Sequence, residues 1–125
     1  MDPWRVTEEF GRAMGLPQLS LDAGQASLEL ESGARLGLLL CDRDLLVHAL
    51  QPVPHPDSSL LLRALQSAEA RDRPGFPLQV GSRGAGSDFC LVGAVRLVES
   101  QLSPELLLKT AEQLLAWAEG LSHPA

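Results

Sequence analysis

His48, His55 and His123, with Cys41 and Cys90, are the side chains of this sequence best suited to metal binding or nucleophilic chemistry. Their spacing offers neither. The histidines are far apart, and none forms a metal-ligand pair such as two histidines four apart on one helix face. His55 stands between two prolines, where it is expected to be solvated. A Cys41–His48 pair would need a hairpin to bring it together, and no nucleophile motif of the Gly-x-Ser-x-Gly kind accompanies it. Both cysteines sit in apolar, strand-like runs, which predicts inert core thiols. Gly81-Ser82-Arg83-Gly84-Ala85-Gly86-Ser87 has the look of a phosphate loop. It lacks the closing Lys-Ser/Thr pair and a following helix to present amides to an anion, so it reads as a hairpin connection. Asp42 and Asp44 flank Arg43 in a turn, where aspartates serve local hydrogen bonding. The expectation is therefore no catalytic residue, no metal site and no cofactor: a protein that is not an enzyme.

The elements that carry these residues follow from periodicity. Asp2-Pro3 is a helix start, with Asp as cap and Pro at the first helical position. Val6, Phe10 and Met14 recur every four residues, so the helix runs to about Met14 with one buried face, and Gly15 and Pro17 stop it. The period then changes to two. Ala26, Leu28 and Leu30 alternate with Ser27, Glu29 and Glu31, a strand with one wet face between the turns Asp22-Ala23-Gly24 and Ser32-Gly33. Arg35 to Cys41 is a second strand, apolar on both faces over Leu38-Leu39-Leu40, as expected of a central strand covered on both sides. Asp42-Arg43-Asp44 turns it into a third, Leu45 to Leu50.

Three prolines between positions 52 and 56 make the next segment a linker loop. Ser58 caps a second helix to about Ala70, with Leu61, Leu62, Leu65 and Ala68 on one side, and Pro74-Gly75 ends the region. Phe76 to Gly81 and Phe89 to Val98 are two more strands. Ser103 and Pro104 open a last helix whose stripe is Leu107, Ala111, Leu114, Ala118 and Leu121, with Gly120 near its close. The predicted fold is one α+β domain over residues 1–125. It has a mainly antiparallel five-stranded sheet and three helices in the order α-β-β-β-α-β-β-α.

The 125 residues carry a formal net charge of −6, which lowers the prior for binding nucleic acid. No apolar run approaches the roughly 18 residues needed to span a bilayer, and the start of the chain lacks the apolar core of a signal peptide, so a cytoplasmic protein is expected. Leucine is in surplus: Leu60-Leu61-Leu62 and Leu106-Leu107-Leu108 add to strands that are apolar on both sides. A sheet this small cannot cover it all, and uncovered apolar patches mark association surfaces, so a homodimer or a peptide partner is expected.

Several segments resemble the class I type III secretion chaperones. These are Phe10-Gly11-Arg12-Ala13-Met14-Gly15-Leu16-Pro17 with Leu19 to Leu30, then Ser59 to Gln66, then Leu102-Ser103-Pro104-Glu105-Leu106-Leu107 with Ala111 to Glu119. The likeness covers nearly the whole chain. One departure is the absence of the asparagine that the family commonly shows after its central helix: this chain continues Gln66-Ser67-Ala68-Glu69. The resemblance implies a small acidic cytoplasmic homodimer. It would bind the N-terminal region of a secreted effector in extended form and keep it soluble and competent for export. It implies a partner groove from Val6 and Phe10 of the first helix and Leu28, Leu30, Leu36 and Leu38 of the strands, and a dimer contact through Leu61, Leu62 and Leu65. The alternatives are a regulator titrating a transcription factor through the same groove, or a roadblock- or profilin-like scaffold holding a folded partner.

Overall fold

A computed structural model describes residues 2–54, 56–68 and 78–122. Helix α1 (Pro3–Ala13) begins as its cap chemistry requires: the Asp2 carboxylate accepts from the Trp4 N–H at 2.7 Å, and Pro3 fills a position that needs no donor. Its apolar spacing buries Val6, Thr7, Phe10 and Gly11 on one face. Gly15, at φ +77°, ends it in the left-handed conformation that glycine adopts without a steric penalty.

The strands are β1 (Gln25–Glu29), β2 (Arg35–Cys41), β3 (Asp44–Pro52), β4 (Gln79–Arg83) and β5 (Cys90–Leu97). They form one antiparallel sheet in the order β1-β2-β3-β5-β4. The first three make a meander whose β2–β3 turn is the two residues Asp42 and Arg43, with Asp42 at φ +57°. The prolines after β3 then forbid another tight turn. Helix α2 (Ser58–Ala68) intervenes before β4 at the sheet edge, and β5 returns between β4 and β3. Helix α3 (Pro104–Ser122) packs across β3 and β5, α1 packs on α3, and α2 lies against β4 and α3.

Register assigns the faces. Leu36, Ala49 and Gly93 lie side by side across β2, β3 and β5, as do Leu38, Val47 and Val95. These six are buried, and the five with side chains share one cluster with Val6, Phe10, Ala64, Leu107, Leu114 and Trp117 of the helices. Trp117 reaches the sheet because Gly93 has no side chain: a Cβ there would stand 2.5 Å from the indole Cζ3. The predicted stripe of α3 is buried as expected, from Leu107 to Leu121.

Four expectations change. β2 is interior to the sheet, but the described residues cover it on one face only, because all three helices contribute to the single cluster with Leu36 and Leu38. The cap of α2 is Asp57 and not Ser58: its carboxylate accepts from the Leu60 N–H at 2.8 Å and the Ser59 hydroxyl at 2.8 Å. That amide first, and the hydroxyl second, hold the Asp57 pKa below the usual carboxylate value. Met14, expected on the buried face of the first helix, lies beyond its last residue, Ala13, and is 38% exposed. β4 is Gln79–Arg83, so Arg83 belongs to a strand and not to the glycine-rich loop. The turn predicted at Pro74-Gly75 and the strand start at Phe76 lie outside the described residues, as do His55 and His123.

Candidate partner-binding surfaces

The second face of the sheet carries what the first does not bury. Leu39 and Leu46 are register neighbours on it, followed by His48 and Ala94, then Leu50 and Val92. All six are half-buried, whereas the rows Leu36–Ala49–Gly93 and Leu38–Val47–Val95 on the covered face are buried. The His48 imidazole occupies the space beside Gly37, its register partner, where a Cβ would stand 2.1 Å from Cε1. Glycine here opens a place for the ring. Burial against the strands, and secondarily the positive charge of Arg83, push the His48 pKa below its ordinary value, so the neutral imidazole is favoured.

Arg83 extends over this face from the edge strand β4. It lines a cleft of about 530 Å³ with Ser27, Gly37, Leu39 and His48, and a second of about 420 Å³ with Arg35, Leu50, Pro52 and Cys90. Arg35 is paired with Glu29 at 3.7 Å. Arg83 makes no ion pair among the described residues.

The turn at one end is fixed by charge. Asp44 accepts from Arg96 Nε at 2.8 Å and from the Glu99 N–H at 3.0 Å, and Arg43 pairs with Glu99. The Glu99 amide first, and Arg96 second, hold the Asp44 pKa below its ordinary value. These aspartates build a turn and hold a strand end. Cys41 and Cys90 are free, half-buried thiols opposite Asp44 and Pro52, at the two ends of β3. Cys41 lies four residues along β2 from the position facing His48, about 13 Å at strand rise, so the two cannot act together. Among the described residues no group of three or more His, Cys, Asp or Glu is placed to hold a metal ion.

The residues predicted to bind a partner divide in two. Val6 and Phe10 are 0% exposed, and Leu36 and Leu38 are 1% and 3% exposed, so in this conformation they are core and have no surface to offer. Leu28 and Leu30, at the edge formed by β1, are half-buried and keep some surface. The exposed apolar groups of α1 and its end are Trp4 and Met14. On α2, Leu61 packs against the core, while Leu62 and Leu65 point away from it at 56% and 61% exposure. Sequence reasoning missed Leu39, His48 and Arg83 as neighbours; the signals were the unbroken Leu38-Leu39-Leu40 run and a glycine in the middle of an apolar strand.

No protein-family model matches the sequence, and no curated protein does. Solved structures match its fold. A chain of the ExsC–ExsE complex is 27% identical with a TM-score of 0.71, the match covering 95% of this chain and 92% of that one. The Yersinia pestis type III secretion chaperone SycH, solved with a stable fragment of YscM2, matches at TM-score 0.73 and 14% identity, over 94% and 98% of the two chains. A chain of the HopA1–SchA chaperone–effector complex matches at 0.66 and 22%, over 94% and 90%. An α+β chain of three helices and a five-stranded antiparallel sheet that follows these structures along nearly its whole length has the class I type III secretion chaperone fold.

Proposed function

We propose that this protein is a cytoplasmic type III secretion chaperone. As a homodimer it binds the N-terminal region of a secreted effector in extended form and keeps it soluble and competent for export. The observation that carries this reading is the end-to-end match, at 27% identity, to a chain of the ExsC–ExsE complex. The SycH and HopA1–SchA structures, each a chaperone with a bound protein, support it and favour it over a scaffold for a folded partner. No helix among the described residues is long and apolar enough to cross a membrane.

The mechanism is physical and needs no catalysis. An edge strand offers unpaired N–H and C=O groups, so an extended segment adds to it by main-chain hydrogen bonds while alternate side chains find apolar contacts. β1 is such an edge, with Leu28 and Leu30 beside it. A segment held this way cannot collapse or aggregate through its own apolar groups. The dimer contact is Leu62 and Leu65 of α2: two leucines more than half exposed on one helix are explained by a second copy that covers them.

Light scattering on the purified protein tests the dimer. The expected mass is twice the 13.4 kDa of one chain, and Leu62→Glu should return it toward one, since a charge in a desolvated interface has no partner there. Pull-down from a lysate of the source bacterium, followed by limited proteolysis, tests the client. A protected linear segment from the N-terminal region of one larger protein supports the reading, and retention of only an intact folded partner refutes it.

A further inference from the structure

The edge strands account for an extended segment; they leave the open face of the sheet and Arg83 unused. Every strand interior to the sheet has its backbone paired on both sides, so this face presents side chains only. A segment lying across it finds no main-chain partners. Its own amides must be satisfied internally, which selects an amphipathic helix over a strand.

Arg83 sets the second condition. Its side chain lines both clefts, so a helix seated on Leu39 and Leu50 removes water from the guanidinium as well. A buried, unpaired arginine is strongly unfavourable, and the occupant must supply an acceptor or be rejected. Three carboxylates line the clefts, Asp22 the first and Glu29 and Asp88 the second, and among the described residues none is ion-paired with Arg83: Glu29 is engaged by Arg35, and Asp22 and Asp88 form no ion pair. Neutral His48 adds no competing positive charge at neutral pH. Arginine's planar fork suits a carboxylate held by two parallel hydrogen bonds.

We propose that the open sheet face binds an amphipathic helical segment of the client that carries a carboxylate within its apolar face, and that Arg83 is the residue that selects it. The proposal rests on the chaperone reading and adds a specificity rule to it. The overall charge of −6 works against acidic segments at long range, so this contact is local and its selectivity survives moderate salt.

The test uses three stapled helical peptides of about 14 residues. Each has a leucine face, identical except for Glu, Gln or Lys at its centre, and binding is read by fluorescence anisotropy. The Glu peptide is expected to bind at least tenfold tighter than the Gln peptide, and the Lys peptide weakest. Arg83→Gln should erase the Glu-to-Gln ratio while leaving the thermal unfolding of the chain unchanged. Leu39→Ser should weaken all three, and Asp88→Asn should not lower the Glu affinity. Equal binding of the three peptides, or a ratio that survives Arg83→Gln, overturns the proposal. So does a change of oligomeric mass with Arg83→Gln, which would make the face an interface between copies. If proteolysis finds a protected client segment whose retention ignores Arg83→Gln, this inference fails and the chaperone reading stands. If the ratio is present but no segment is protected, the face is as described and the chaperone reading fails.

Discussion

On the covered face of the sheet Gly93 makes room for a ring from α3, Trp117; on the open face Gly37 makes room for a ring from the neighbouring strand, His48. The two glycines sit in adjacent register rows of the same sheet, Leu36–Ala49–Gly93 and Gly37–His48–Ala94, and serve different ends. The first lets a helix lie close and completes a core of fully buried side chains. The second flattens an apolar surface that nothing in the described chain covers. The difference teaches that a sheet of this size needs only one face to fold, and that the leucines of the other are free to meet something else.

The largest expected effect is on the covered side. Phe10→Asp should abolish cooperative unfolding altogether, because a carboxylate at a wholly buried site has neither water nor a partner; near-ultraviolet circular dichroism and urea denaturation would show it. A folded Phe10→Asp protein that has merely lost its client would return Phe10 to the groove. Next comes Gly93→Ala. Its methyl group would overlap the Trp117 indole, and overpacking of a core contact costs about 1–3 kcal/mol, readable in the same denaturation.

Gly37→Ala brings a closer overlap still but should cost less than about 1 kcal/mol, since the half-buried imidazole can swing outward where the indole cannot. A loss as large as that of Gly93→Ala would mean that the open face is packed as tightly as the core. The smallest effect is the pH dependence of His48. Its pKa is lower folded than unfolded, so between the two values the unfolded chain binds the proton and the folded one does not. Its contribution is therefore complete above the unfolded value of about 6.5 and is lost as pH falls through the folded value. Melting curves between pH 7.5 and 5 should show stability falling with acid, less steeply in His48→Gln.

Much of this was legible from local chemistry. The Asp2-Pro3 and Ser103-Pro104 helix starts, the four-and-three stripe of α3 and the Asp42-Arg43 turn are stated by residues a few positions apart, and local signals of that kind survive folding. The faces of β2 were not. Leu38, Leu39 and Leu40 are identical side chains, and a period of two cannot be read from a run without alternation. Val6 and Phe10 were correctly placed on a buried face of α1, but an apolar stripe does not say whether it meets its own core or a partner. Arg83 was hidden for another reason: the glycines and serines around it carry a turn signal that outweighs the short β4, whose pairing with β5 is a long-range fact.

Adjacent leucines of β2 give the most direct test of the division between faces. Both border the cleft beside His48, but Leu38 is buried in the core cluster whereas Leu39 is half-buried on the open face. Leu38→Glu should fail to fold. Leu39→Glu should keep the circular dichroism spectrum and denaturation midpoint of the parent but lose protection of the client's helical segment in limited proteolysis, while the extended segment at the β1 edge is retained. Leu39→Glu protein that is folded and still protects the helical segment would contradict the account, because the open face would then be surface that the partner does not use.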